Sequence, residues 1–333
     1  MHSALLAGGD LWLWGSNEHG QLGFGDRLDR ALPAHLLIKE IALTKASVDS
    51  VALGLEHCVV LTSPASTGAR LLFSWGRNRA GQLGLGNNLD ERKPKQISFI
   101  VDAKAVAVGE DHSAAILSSG ELYTWGSADS GKLGHGSAGG SQNYPRLVRL
   151  GDQLEHVCCG AQHTAILNTQ GLLFTFGAGW FGRLGHGDTS NQTSPKLVER
   201  FQADDLRTGP LSAPSGEPIV DVPAPRVGDV QCGMYHTCIV TADRQLWCCG
   251  RDSMICEPAH VLRPVRFGWG ASAQAEELKV QCLAVGASHT LCLVEGGGLW
   301  AWGENGKGQL GLGGGAGSRL LAPATLAPAE WAT

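Results

Sequence analysis

The chain has 333 residues, with 26 Lys and Arg against 31 Asp and Glu, a formal charge of −5. That balance excludes a protein whose main task is to neutralise phosphates, which needs concentrated cations, so no direct nucleic-acid contact is expected. Its 47 glycines, about twice the usual share, follow no Gly-X-Y period; collagen is excluded and a turn-rich fold is expected.

The first element is Met1-His2-Ser3-Ala4-Leu5, a histidine-headed strand with no apolar strand ahead of it. Next comes Leu11-Trp-Leu-Trp-Gly15 followed by Ser-Asn-Glu-His-Gly-Gln-Leu-Gly-Phe-Gly25, and this unit returns as Leu72 to Gly86. It returns again near Gly126, Gly177 and Gly303, and in decayed form near Gly250. The closing glycines stand at 15, 76, 126, 177, 250 and 303, so the basic unit is about 51 residues. Between them a second element, Gly-x-x-His, recurs with His57, His112, His163, His236 and His289, each flanked by apolar runs. Every repeat therefore holds several short strands.

Within the aromatic strand two columns lie two residues apart and share one face of a sheet. One reads Trp12, Phe73, Tyr123, Phe174, Trp247 and Trp300; the other reads Trp14, Trp75, Trp125, Phe176, Cys249 and Trp302. A sheet of about four short strands cannot bury both faces alone, so each must stack on the next, and rings hiding roughly 150–250 Å² apiece supply the contact. Glycine-dense sheets repeated at this interval predict an all-β fold, a β-propeller of six visible repeats in a single domain over 1–333.

The pattern Gly-x-Leu-aromatic-x-Trp-Gly-x-Asn-x-x-Gly-Gln-Leu-Gly-x-Gly, followed by Pro and then Val-x-x-Val-x-x-Gly-x-x-His-Thr, resembles the repeat of the regulator of chromosome condensation family. The resemblance covers essentially the whole chain. It implies a propeller, usually seven-bladed, and functions ranging from a nuclear exchange factor for a Ran-type GTPase to ubiquitin-ligase domains, kinase-attached propellers and a plant ultraviolet-B photoreceptor. The photoreceptor's Gly-Trp-x-His pattern is absent here, since the residues between Gly and His include no Trp.

Only six motifs are present, and the two ends read as halves of one repeat, with Pro323-Ala324-Thr325-Leu326 standing before the missing strand. The termini are thus expected to share one incomplete blade with an open edge, which leaves the protein a monomer unless that edge pairs; a shortened product of a longer, seven-bladed protein has the same pattern. Between Glu199 and Gly228 the spacing swells by about 22 residues rich in proline, with Asp204 and Asp205, and this insertion, 199–228, is expected to protrude as a loop.

The chemistry the sequence offers is mostly declined. The five repeated histidines are one structural position, spread over the repeats rather than converging on a site, and are expected to satisfy backbone groups at strand ends. Gly177-Ala-Gly179-Trp-Phe-Gly182 matches G-x-G-x-x-G, but Arg183-Leu-Gly-His-Gly that follows is no helix, so the phosphate-binding helix terminus is missing. Cys158, Cys159 and His163 do not make a zinc set, because His163 belongs to the repeat. The ten cysteines contain no C-x-x-C pair and sit in apolar runs; they read as small buried hydrophobes, and disulfides are not expected. No catalytic residue, metal or cofactor is expected.

What remains is a surface. Trp180 and Phe181 occupy loop positions that are Glu18-His19, Arg79-Ala80, Asp129-Ser130 and Gly306-Lys307 in other repeats, so the repeat's own packing does not demand rings there. With Arg183 beside them they are candidate partner anchors, and Asp204 and Asp205 on the insertion are further candidates. The chain reads as a non-enzymatic scaffold for protein partners; the alternative is a guanine nucleotide exchange factor for a Ran-like or other small GTPase. No apolar run approaches the roughly 20 residues of a membrane span, and Met1 to Leu6 shows no signal-peptide pattern, so an intracellular protein, cytoplasmic or nuclear, away from membranes is expected.

Overall fold

A computed structural model describes residues 2–38, 46–64, 68–203, 220–223, 225–251, 259–265, 278–312 and 319–326. The protein is an all-β, six-bladed β-propeller whose blades follow one another in the sequence. The first sheet has three strands, β1 (His2–Ala7), β2 (Asp10–Gly15) and β3 (Arg30–Leu36). The second runs β4 (Val48–Leu53), β5 (His57–Thr62), β6 (Leu72–Gly76) and β7 (Glu91–Gln96). The third runs β8 (Ala103–Val108), β9 (His112–Leu117), β10 (Leu122–Gly126) and β11 (Gln142–Leu147). The fourth is β12 (Leu154–Cys159), β13 (His163–Asn168), β14 (Leu173–Gly177) and β15 (Gln192–Leu197).

The fifth sheet is built on β18 (Val227–Cys232), β19 (His236–Thr241), β20 (Leu246–Gly250) and β21 (Ala259–Pro264). The sixth is β22 (Val280–Val285), β23 (His289–Val294), β24 (Leu299–Glu304) and β25 (Arg319–Leu326). Two compact units divide the chain: one comprises Met1–Thr169, Phe176–Ala178 and Asn191–Lys196, the other Gln170–Thr175, Gly179–Ser190 and Leu197–Thr333.

In the first unit the period of two shows directly. Every residue of β5 is buried, because alternate side chains enter opposite interfaces: Cys58 and Val60 join Leu11, Leu13 and Trp75 on one side, while Val59 and Leu61 join Ile97, Ala115 and Trp125 on the other. Trp75 and Trp125 are fully buried, and their indole N–H groups donate to the loop carbonyls of Gln21 (2.8 Å) and Gln82 (2.9 Å) in the preceding repeat. The Gly-Gln-Leu-Gly loop fits over that ring only as glycine: Gly84 has φ +70°, and a Cβ there would stand 2.8 Å from the Trp125 indole nitrogen.

The repeated histidines bond differently from the sequence expectation. The His57 Nε2 lies 3.0 Å from the Ser113 hydroxyl and the His112 Nε2 3.0 Å from that of Thr164, so each imidazole grips the next repeat rather than a backbone group of its own strand. Ser113 and Thr164 in turn donate to the Gln82 and Lys132 carbonyls, both at 2.8 Å, which makes each imidazole the Nε2–H donor and leaves it neutral. Gly54 is needed beside His57, since a Cβ would sit 2.4 Å from the ring.

Three sequence expectations are corrected. Among the described residues the two terminal strands fall in different sheets: the first sheet is one strand short, as its sequence implied, and β25 is the fourth strand of the sixth sheet, pairing with β24, Leu299 opposite Leu326 and Gly303 opposite Leu320. The segment 199–228 is not simply a protruding loop. β16 (Arg200–Ala203) and β17 (Val220–Pro223) form an antiparallel pair that joins β21 through a parallel bridge, Phe201 to Leu262, widening the fifth sheet to six strands. Residues 204–219, with Asp204 and Asp205, lie outside the described residues.

The third correction concerns cysteine. Cys238 and Cys248 are disulfide-bonded; they face each other directly across β19 and β20 with Cα atoms 4.2 Å apart, a juxtaposition fixed by strand register and invisible in linear spacing. The pair lies in a core cluster with Leu246, Leu283, Cys292 and Trp302.

Two outcomes follow from this packing. Trp125→Ala is expected to lose about 3–5 kcal/mol in urea unfolding, with Trp125→Phe costing less while still leaving the Gln82 carbonyl one donor short. Burial, with the nearby His2, pushes the His57 imidazole down to about 3 from an ordinary 6.5, and burial drives His112 well below it. A depressed folded-state value means that the unfolded chain binds the extra proton, so stability is full above about pH 6.5 and falls as pH drops toward 3. Urea titrations at pH 7 and pH 5 are expected to differ by about 2 kcal/mol from His57 alone; equal midpoints would contradict the buried neutral ring.

Candidate functional site

The loop after each aromatic strand is normally held by an asparagine. Asn78 Oδ1 accepts from the Leu83 N–H at 3.0 Å and Asn17 Oδ1 from the Leu22 N–H at 2.9 Å. Gly179 stands at that position in the fourth repeat and Ala128 in the third. Without the amide clamp both loops wind into a 3-10 turn, Trp180–Gly182 and Asp129–Gly131, with Phe181 (φ +63°) and Ser130 (φ +58°) in the left-handed region. That conformation is uncommon for a bulky residue and carries strain. Only the fourth loop uses it to carry rings.

Those rings belong to a cluster in the second unit. Phe181 meets Tyr235 edge-on with ring centroids 5.6 Å apart. The Arg183 guanidinium lies 5.0 Å from the Tyr235 ring, 5.8 Å from Trp180 and 5.9 Å from Phe181, and Arg251 lies 5.1 Å from the other reach of Phe181. Trp180 is 52% exposed and Arg251 is exposed, whereas Phe181 and Tyr235 are half-buried. The sequence reading thus located Trp180 and Phe181 correctly as loop aromatics, with one of them open to solvent.

Arg183 is different: it is fully buried and cannot touch a partner in this arrangement. Its Nε donates to the Trp180 carbonyl and its Nη1 to the Met234 carbonyl, both at 3.0 Å, and Nη2 has no hydrogen-bond partner. Burial pushes its guanidinium down to about 10. Arg183 therefore positions the loop from beneath. The residue at this point of the repeat is Gln21, Gln82, Lys132, Arg183 and Gln309, and the column itself is an inward one.

The third repeat shows how a buried cation is ordinarily accommodated. Lys132 is also fully buried, but its ammonium pairs with Asp111 at 2.7 Å and donates to Gln162 at 2.7 Å, while Gln162 donates to Glu110 at 3.0 Å. The residues just before the repeated histidines are Glu56, Asp111, Gln162, Tyr235 and Ser288; Lys132 has Asp111 from its own repeat and Gln162 from the next, and the matching positions for Arg183 are Gln162 and Tyr235, an amide in place of the carboxylate and a ring in place of the amide. Tyr235 and Arg251 were not singled out in the sequence; Tyr235 stands out from its column, whereas Arg251 repeats Arg77 of the second repeat. Among the described residues no group of three or more His, Cys, Asp or Glu side chains forms a metal site, and no helix is long and apolar enough to cross a membrane.

Comparison with known proteins gives one consistent result. The family model described as regulator of chromosome condensation (RCC1) repeat matches residues 8–61, 71–116, 119–167 and 170–208, and a second model of the same description matches 103–132, 229–254 and 280–309. The ultraviolet-B receptor UVR8 of Arabidopsis thaliana is 31% identical over 92% of this chain and 63% of its own length. The probable E3 ubiquitin-protein ligase HERC3 of Homo sapiens is 36% identical over 63% of this chain and 19% of its own. The chain therefore spans less than two thirds of the length of either. The solved structure of Prp20p from Saccharomyces cerevisiae superposes with a TM-score of 0.76 at 19% identity, over 99% of this chain and 76% of that one, which shows the common fold.

The two buried cations are expected to respond differently to replacement. Lys132→Gln strands the Asp111 carboxylate and is expected to cost about 1–3 kcal/mol. Arg183→Gln installs the residue that other repeats carry and removes an uncompensated charge, so its melting temperature is expected to stay closer to that of the parent; the reverse order in thermal unfolding would refute this reading of the charges.

Proposed function

Because this chain belongs to the regulator of chromosome condensation (RCC1) repeat family, we propose that it is a non-enzymatic interaction module, gripping a protein partner through the loop cluster of Trp180, Phe181 and Arg251. The observation that carries this reading is an indole left 52% exposed on a strained turn that the rest of the repeat does not require. Aromatic and arginine side chains are the residue types that dominate binding energy at interfaces. Arg183 and Tyr235 hold the cluster in place, so little side-chain entropy is lost when it docks. The reading takes the chain to act inside the cell, in cytoplasm or nucleus.

A second reading, an exchange factor for a small GTPase, draws on two observations. The solved structure of Prp20p is reported together with that protein's binding to Gsp1p and histones. In this chain, β16 and β17 form an antiparallel pair at the edge of the fifth sheet, an addition to the repeat on which a nucleotide-displacing wedge could be mounted, and Asp204 and Asp205 follow β16 in sequence.

Affinity capture and nucleotide release separate the two. Trp180→Ala with Phe181→Ala is expected to lose at least tenfold in retention of captured partners with an unchanged melting curve; equal retention would remove this cluster from consideration. Acceleration of nucleotide release from any member of a small-GTPase panel would replace the scaffold reading with the exchange reading.

A further inference from the structure

A different feature lies on the outer side of the first unit. A concave cavity of about 420 Å³ opens between the third and fourth sheets, lined by His135 between two glycines of the rim loop, by Arg146 and Arg149, and by Ser194 of β15. Both guanidiniums are exposed, and no ion pair among the described residues involves either. The repeat supplies the contrast. At the position of Arg146, just after the outer-strand proline, β7 has Lys95, whose ammonium is paired at 2.7 Å with Glu91 four residues earlier. β11 has Gln142 in place of that glutamate, so the positive charge of Arg146 is uncompensated.

His135 forms the floor of the cavity and adds no charge. Its Nε2 lies 2.9 Å from the Thr124 hydroxyl, which donates to the Leu133 carbonyl at 2.6 Å, so the ring is the donor. Burial, together with the Arg146 charge, pushes its imidazole down to about 4. In the first two repeats this position is Phe24 and Leu85, and in the third and fourth it is His135 and His186, each 2.9 Å from a threonine hydroxyl. The cavity thus offers two free guanidinium forks and a serine hydroxyl around a neutral floor.

Two arginine charges match the roughly −1.5 to −2 of a phosphate monoester better than the single charge of a carboxylate, and the planar forks suit its oxygens. Next to the cavity, two residues before Arg146 and about 7 Å along the strand, Tyr144 is 47% exposed and Phe99 is 59% exposed, with ring centroids 6.2 Å apart. Pro145 between Tyr144 and Arg146 is buried, while both flanking residues are exposed. An apolar seat therefore adjoins an anion seat.

We propose that the outer surface of the third sheet binds a phosphorylated serine or threonine side chain of a partner protein, with the phosphate between Arg146 and Arg149 and a neighbouring apolar residue on Phe99 and Tyr144. This surface is separate from the Trp180 cluster and does not depend on it. Calorimetric titration of the full chain with a short blocked peptide, one phenylalanine beside one phosphoserine, tests it, against the same peptide with serine or glutamate and against inorganic phosphate. The phosphoserine form is expected to bind at least tenfold tighter than the glutamate form and tighter than inorganic phosphate alone. Arg146→Gln with Arg149→Gln is expected to abolish that preference, whereas Trp180→Ala with Phe181→Ala retains it. Because both arginines are exposed, the variants are expected to melt with the parent. Equal binding of the phosphoserine and serine peptides, an unchanged preference in the arginine variant, or tighter binding of a short RNA of equal charge would each overturn the proposal; inorganic phosphate binding as tightly as the peptide would overturn the apolar seat and the protein partner with it.

Discussion

A single backbone carbonyl at the start of each rim loop carries the joint between repeats. The Gln82 carbonyl accepts the Trp125 indole N–H and the Ser113 hydroxyl, two donors from the following repeat converging on one oxygen. Ser113 also receives the imidazole of His57, so loop, histidine and tryptophan close one small network around a buried carbonyl that would otherwise be left unsatisfied. The second unit uses the same device with a poorer donor: the Arg183 carbonyl accepts Thr237 Oγ1 at 2.7 Å and Cys249 Sγ at 3.5 Å. Cys249 occupies the column where other repeats place an indole or phenyl ring, and the geometry survives because the oxygen still has donors.

With the backbone of that loop pinned, its side chains are free to differ. The glutamine position turns inward and tolerates Lys132 and Arg183, each buried directly behind the clamped carbonyl. Ahead of the intervening glycine, Arg79-Ala80 in one repeat and Trp180-Phe181 in another reach the surface, the first of each pair exposed and the second half-buried. Structure and recognition are thus separated within seven residues, the usual relation between a fixed scaffold and the loops it presents.

Much of the fold was legible because the chain repeats it. Two aromatic columns and a Gly-x-x-His column gave the strands, their number per sheet and the buried faces, since a column common to six copies reflects packing that all six share. What stayed hidden depends on register and on contacts between copies. The disulfide of Cys238 and Cys248 required knowing that β19 and β20 align those two residues. The histidines required knowing that the neighbour's hydroxyl, one residue past the next histidine, lies within reach. β16 and β17 escaped notice because their proline-rich surroundings outweigh four residues of strand on each side. At the candidate site Trp180 and Phe181 were legible as departures from their columns, while Arg183 was mistaken for a surface cation because proximity in sequence to two rings says nothing of which way a side chain turns.

Charge compensation distinguishes the cations at the two proposed surfaces from their counterparts in other repeats. Lys132 has Asp111 and Lys95 has Glu91, each cation matched by an acid that the repeat places at a fixed offset. Arg183 and Arg146 stand at the same two offsets, and the acid's position is filled by Gln162 in one case and by Gln142 in the other. A buried or clustered cation without its counter-charge costs free energy in the isolated protein, and neighbouring copies show that the fold has a ready way to avoid the cost. At Arg183 aromatic faces offset part of it and hold an exposed indole in place; Arg146 is exposed and solvated, and the cavity it lines contains no acid. Comparison among copies inside one chain identifies these positions because the strand pattern recurs, so an exchanged residue can be read against its counterparts.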